Sequence, residues 1–331
     1  MWEVIFKMPK DIRIYRNRRL RPMKGKNMMW AYLVHISYNM WSDRDVPEVQ
    51  NPHIGAKPYL RFDESLWDEI LRRLVEARMN AVVLDLGDGI KYESHPEIAV
   101  ENAWTIGRLK EEIGRLRDMG LEPIPKLNFS TTHDAWLGKY SRCVSTDVYY
   151  EVCQDLISEV CEIFDGPRLF HLGMDEETAQ HQRHYRYVVV RQYDLWWEDL
   201  QFYVRHVEKA GTRAWIWSDY LWHHPEEFFK NMPKSVLQSN WYYGAEFKED
   251  IPAVKAYLDL EAHGYDQVPT GSNWSIPENF QRTVEYCRTH IDPQHLLGFL
   301  QTSWRPTLEE FRRQHMEAIE VAAKARAEWE D

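Results

Sequence analysis

Residues 170–180 read FHLGMDEETAQ and set two carboxylates, Asp175 and Glu176, directly after a short apolar run that carries His171 and Gly173. Two adjacent carboxylates repel, so a buried pair tends to raise one pKa and leave a protonated acid beside an ionised base. That division suits glycosidic bond cleavage, in which an acid protonates the leaving oxygen while negative charge or a nucleophile supports the oxocarbenium-like centre. The competing reading is a helix whose first turn is DEET, where acidic residues are favoured by the dipole. In a regular strand neighbours point to opposite faces, so both carboxylates can enter one site only where the strand ends or bulges.

The elements that must position this pair alternate along the chain. Short apolar or β-branched runs at 28–41, 80–89, 121–129, 168–176, 212–220, 236–244, 265–274 and 296–304 predict eight strands. One helical pattern opens on an Asp63 cap and puts Leu66, Ile70, Leu74 and Ala77 on one face. Another runs from Thr105 to a stop at Gly120, and further ones cover 149–164, 193–210, 252–263, 277–290 and 307–329, with a short helix in HHPEEFFKN. This order predicts an α/β fold, a single-domain (β/α)8 TIM barrel over residues 28–331, preceded by an N-terminal arm, 1–27. A doubly wound open sheet ranks second, because no Gly-rich phosphate loop follows any strand.

Function in such a barrel collects at the carboxyl ends of the strands. The sequence puts His35, Tyr38 and Asn39 there on the first strand, Asp85 and Asp88 on the second, and Lys126 and Asn128 on the third, with His133 just beyond. Asp175 and Glu176 follow, then Trp217 and Asp219, Trp241 and Tyr243, Asn273 and Trp274, and Trp304. The set is rich in carboxylates and Trp and lacks a Ser or Cys nucleophile with a base, a pattern that fits acid/base work on carbohydrate. The chain holds 15 Trp and 18 Tyr, whose flat apolar faces and polar edges suit sugar rings. Asp175, Glu176 and His133 are the catalytic candidates. Asp85, Asn128, His171, Trp217, Asp219, Trp241, Tyr243, Trp274 and Trp304 are the substrate-binding candidates. Lys126 reads as a paired strand-end cation, HQRH at 181–184 as a solvated helix face, and HHPEE at 223–227 as a cap and turn. No His spacing matches a metal motif, so neither metal nor cofactor is predicted.

Composition bounds the partners. A net charge of -11 argues against a nucleic-acid backbone, and the basic run RIYRNRRLRP at 13–22 reads as a solvated arm. No stretch approaches the roughly 18 to 20 apolar residues that span a bilayer, so no membrane partner is expected. The first residues carry charges where a signal peptide needs its apolar core, which predicts a cytoplasmic protein. The four cysteines have no C-x-x-C spacing and read as reduced and structural. Carbohydrate is the expected partner, and the sequence is compatible with a homo-oligomer.

HLGMDE resembles the His-x-Gly-x-Asp-Glu signature of glycoside hydrolase family 20, the β-N-acetylhexosaminidases, at the end of the fourth barrel strand. MNAVVLDLGDGIKYESHPEI (79–98) is similar to that family's second strand and loop. WTIGRLKEEIGRLRDMGLEPIPKLNFSTTH (104–133) resembles its second helix, third strand and the loop bearing an active-site histidine. Trp217, Trp241 and Trp304 stand where the family places aromatic walls. The resemblance implies a retaining exo-glycosidase with substrate-assisted catalysis on a terminal β-linked 2-acetamido sugar. The acetamido oxygen attacks the anomeric carbon, Glu176 protonates the leaving oxygen, Asp175 orients the acetamido nitrogen and His133 supports the pair.

Departures cluster in the groups that grip substrate. WAYLVHISYNMW lacks the usual first-strand Arg, and Pro125-Lys126-Leu127-Asn128 stands where the family usually reads Pro-Glu-Ile-Asp. The acetamido-binding Tyr is missing from VPTGSNWSI, with Tyr242 or Tyr243 as substitutes, and Arg305 follows Trp304 where a Glu is common. The expectation is retained chemistry on a substrate other than a plain terminal N-acetylglucosamine. Two alternatives are a glycosidase using separated carboxylates, Glu176 with Asp85 or Asp219, and a carbohydrate-binding barrel without catalysis.

Overall fold

The computed structural model describes residues 28–330; the N-terminal arm with its basic run lies outside the described residues. The barrel strands are β1 (Met29–His35), β2 (Ala81–Asp85), β3 (Glu122–Lys126), β4 (Leu169–His171), β5 (Arg213–Trp217), β6 (Leu237–Ser239), β7 (Thr270–Ser272) and β8 (Gly298–Thr302). They form one parallel sheet in the order β6-β5-β4-β3-β2-β1-β8-β7. The seam between β6 and β7 is joined by Val268 N donating to Gln238 O at 2.8 Å and Thr270 N donating to Asn240 O at 2.9 Å. The result is the expected (β/α)8 TIM barrel. No helix among the described residues is long and apolar enough to cross a membrane.

The helices are α1 (Glu64–Glu76), α2 (Ile106–Asp118), α3 (Asp147–Ile163), α4 (Asp194–Lys209), α5 (Pro225–Asn231), α6 (Pro252–Ala262), α7 (Asn279–His290) and α8 (Arg312–Glu330). Local chemistry sets their ends. The Asp63 carboxylate accepts from the backbone N–H of Ser65 and Leu66, and Thr105 Oγ1 accepts from Arg108 N. Gly120 turns the chain out of α2 with φ +77°. Leu66, Ile70 and Leu74 are buried as the periodicity requires. The acidic start DEET forms no helix: α4 begins only at Asp194, and HQRH lies on the loop between β4 and α4 rather than on a helix face.

Period-two alternation divides the strands between two cores. Ala31, Leu33, Val83, Ile124, Leu169, Trp215 and Leu300 fill the barrel interior, while Trp30, Tyr32, Val34, Val82 and Leu84 pack beneath the helices. At the next inward level the register aligns His35 with Asp85, Asp85 with Lys126, and Lys126 with His171. Lys126 Nζ lies 2.7 Å from Asp85 Oδ2, and His35 Nδ1 lies 3.0 Å from the same oxygen. Lys126 is therefore the paired cation that its sequence context suggests. Burial works against the Asp85 charge, but Lys126 and His35 hold its carboxyl below the ordinary value. The four cysteines are unpaired, and three of them are buried.

Removing one member of a buried pair leaves the other charge uncompensated. Lys126→Met should lower the unfolding free energy by about 3–5 kcal/mol in urea titration. Adding Asp85→Asn should recover part of the loss, and additive losses would show that the pair is not coupled.

Candidate active site

The site is built where β4 stops being a strand. Gly173, Met174 and Glu176 all adopt positive φ, +73°, +78° and +53°, which breaks the alternation that would send neighbouring side chains to opposite faces. Each non-glycine residue in this region is strained, and side chains from neighbouring loops hold the segment there. Asn128 Oδ1 accepts from Met174 N at 3.2 Å, Asp219 Oδ2 accepts from Glu176 N at 2.8 Å, and Thr132 Oγ1 donates to the Asp175 carbonyl at 3.0 Å. Glycine is required at 173, since a Cβ there would sit 1.9 Å from Asn128 Oδ1. Both carboxylates consequently enter one cavity, and the helix-start reading does not describe this segment.

Their surroundings differ. Asn128 Nδ2 donates to Asp175 Oδ1 at 2.9 Å, and His133 Nδ1 lies 3.3 Å from the same oxygen. Burial opposes the Asp175 charge, yet the His133 cation, the Lys126 cation and the Asn128 amide hold its carboxyl well below the usual carboxylate range. Glu176 has no such clamp: its Oε2 is 3.7 Å from His133 Nε2 and its Oε1 is 3.5 Å from His181 Nε2. Burial, reinforced by the Asp175 charge, pushes the Glu176 pKa up. His133 is buried, which alone would lower its pKa, but the two carboxylates outweigh burial and raise it. Burial and the same two carboxylates push Asp219 up to about 8.

The cavity holds about 680 Å³ and is lined by Tyr38, Trp41, Asp175, Glu176, Trp241, Tyr243, Trp274 and Trp304 among others. Trp241 stacks on Tyr243 with ring centroids 5.0 Å apart. Trp304 Nε1 donates to the Tyr243 hydroxyl at 2.9 Å, while the Trp304 carbonyl accepts from Tyr38 at 2.7 Å. A second chamber of about 690 Å³ adjoins it, with Glu176 and His181 lining both and Asp219 lining only the second.

Not every candidate faces this space. Asp85 is in the buried ion pair one level below, and His171 is fully buried there with its ring 4.3 Å from that of Trp217. Trp217 is itself buried, its ring 5.7 Å from that of Trp304, and does not line the cavity. Asn128 acts on Asp175 and on the Met174 backbone. Tyr242 packs against Phe247, so of the two candidate tyrosines only Tyr243 lines the cavity.

Several lining residues escape sequence reasoning. Trp41 stands edge-on to His133 with centroids 4.5 Å apart, and His181 and Arg183 come from the loop after Glu176. That loop is tied down by buried Arg191, which bonds Glu177 at 2.6 Å, Asp199 at 3.0 Å and the Phe129 carbonyl at 2.7 Å. The only sequence signal for this tether is an Arg that directly follows the apolar run Val188-Val189-Val190. Among the described residues, one group of His, Asp and Glu side chains could hold a metal ion: His133, Asp175 and Glu176, with ligand atoms within 4.8 Å of one another. It is the same set whose mutual contacts shift the two carboxyl pKa values in opposite directions.

No protein-family model matches the sequence, and no curated protein matches it. Solved structures do. The β-N-acetylhexosaminidase from Bacteroides fragilis NCTC 9343 is similar at 15% identity and TM-score 0.62, covering 90% of this chain and 65% of that one. The family 20 β-N-acetylhexosaminidase from Streptomyces coelicolor A3(2) is similar at 13% identity and TM-score 0.59, covering 89% and 64%. Dispersin B follows at 13% identity and TM-score 0.57, covering 80% and 95%. This chain thus spans just under two thirds of the two hexosaminidases. Similarity at this level of identity establishes the architecture: the chain has the barrel fold found in glycoside hydrolase family 20 structures.

Proposed function

We propose that the protein is a retaining exo-glycosidase of the β-N-acetylhexosaminidase type, acting on a terminal β-linked 2-acetamido sugar. The observation that carries this reading is the unequal treatment of two adjacent carboxylates in one Trp-lined cavity, Asp175 held ionised and Glu176 held toward its protonated form. On this reading the acetamido oxygen of the sugar attacks its own anomeric carbon while Glu176 gives its proton to the leaving oxygen. The Asp175 carboxylate accepts from the acetamido N–H and stabilises the positive charge that grows on nitrogen. Glu176, now ionised, then takes a proton from the water that reopens the bicyclic intermediate, so configuration is retained. The Tyr243 hydroxyl already accepts from Trp304 Nε1, which leaves its own proton to donate to the acetamido carbonyl.

The reading with separated carboxylates has weaker support. Asp85 is neutralised by Lys126 beneath the cavity, and Asp219 is protonated near neutral pH and bonded to the backbone of Glu176. Neither is a free carboxylate base. A barrel that only binds sugar has no use for a strained turn that sets an acid beside a fixed anion.

Glu176→Gln should reduce kcat by about 10²–10⁴ on a 2-acetamido disaccharide, whose leaving group needs a proton. Turnover equal to the wild type would remove Glu176 from the acid role. The pH profile follows from the two shifts. Activity requires Glu176 protonated, so kcat/KM should fall as pH rises through its raised pKa. Activity also requires Asp175 ionised, so the acid limb should lie well below the range of an ordinary aspartate. A kcat/KM that climbs with pH past neutrality would contradict this assignment.

A further inference from the structure

Asn51 lines both the sugar cavity and another of about 760 Å³, lined also by His53, Arg61, Phe62, Arg305 and Phe311 among others, so the two spaces adjoin. Tyr38 on one side and His53 on the other have ring centroids 5.8 Å apart. The Arg305 guanidinium lies 4.0 Å over the Trp274 ring and so reaches the boundary between the two spaces.

Arg61 and Arg305 are both half-buried, and their contacts among the described residues are with neutral groups. Arg61 donates to the His53 carbonyl at 2.8 Å and to Asn39 Oδ1 at 3.0 Å. Arg305 Nη1 lies 3.5 Å from His53 Nε2. Burial and the two guanidinium groups push His53 down to about 4, so it stays neutral. Asp88 and Asp45 lie near enough to act on Arg61, but no carboxylate among the described residues is hydrogen-bonded or ion-paired to either guanidinium. Asp45 is paired with Lys57 Nζ at 2.5 Å, Asp88 is bonded to Ser37 and Asn39, and Glu310 is on the exposed rim. Burial lowers the pKa of both arginines, a desolvation cost that an incoming anion would offset. Arg305 is also the position at which the family 20 resemblance calls for an acid.

We propose that this arginine-lined cavity receives an anionic substituent on the terminal sugar, a sulfate or phosphate ester or a carboxylate, and that the enzyme selects acidic 2-acetamido sugars. The proposal rests on the glycosidase reading above and names its substrate class. Glu176, His181 and Asp219 do not line the arginine cavity, so the charged group sits on the retained sugar and not on the leaving group. Two planar guanidinium groups present paired N–H donors that match the oxygens of such groups.

The test compares kcat/KM for the 4-methylumbelliferyl 2-acetamido-2-deoxy-β-glucoside with its 3-, 4- and 6-sulfates, its 6-phosphate and the corresponding uronate. At least one anionic substrate should be preferred by about tenfold or more, and the preference should weaken with added salt. Which one is preferred identifies the group. The ratio of charged to neutral kcat/KM should drop in Arg305→Gln and Arg61→Gln, and Arg305→Lys should restore part of it. No preference for any anionic substrate, or a preference untouched in both Gln variants, overturns the proposal. If none of these glycosides is turned over, the glycosidase reading fails by itself. Calorimetry on Glu176→Gln with N-acetylglucosamine and its sulfates then decides: tighter binding of a sulfate supports the anion cavity, and equal binding refutes it.

Discussion

Two carboxylates that are neighbours in sequence share one cavity, and the site depends on keeping their charges unequal. Left alone, burial would protonate both. The clamp on Asp175, from Asn128 at 2.9 Å and His133 at 3.3 Å, anchors one negative charge, and burial together with that charge raises the Glu176 pKa. Each clamp residue comes from the stretch just after β3, so the pairing of β3 with β4 brings acid, anion and cation together. The strain at Met174 and Glu176 belongs to the same device, because only left-handed backbone turns both side chains into the cavity.

Below the pair, the barrel supplies a polar layer in place of a purely apolar one. Parallel register lays His35, Asp85, Lys126 and His171 in adjacent strands at one level, and the Lys126–Asp85 ion pair neutralises the centre. Lys126 adds positive potential under Asp175 and helps hold its charge. Lys126, which stands where the family 20 resemblance calls for an acid, builds part of the electrostatic floor under Asp175.

Much of the fold is legible in the sequence because it rests on local rules. Apolar alternation marks the eight strands, and Asp63, Thr105 and Gly120 mark helix ends by their capping chemistry. Strand lengths are less legible: the run 168–176 looks like one strand, but only Leu169–His171 pairs, since positive φ at Met174 and Glu176 leaves no trace in residue type. HQRH reads as helical because its true constraint is the Arg191 tether to Glu177 and Asp199, a contact that spacing cannot reveal. Asp85 and His171 lie at strand ends, as the barrel rule requires, yet one level beneath the cavity. Trp41 reaches His133 only through the closed barrel.

The most direct measurement is a crystal structure with the thiazoline derived from N-acetylglucosamine, a stable mimic of the bicyclic intermediate. The account predicts that its ring nitrogen lies within about 2.7–3.2 Å of an Asp175 carboxylate oxygen, with the sugar ring against the Trp304 and Trp241 walls. Failure to bind, or a nitrogen directed at Asp219 and away from Asp175, would contradict it.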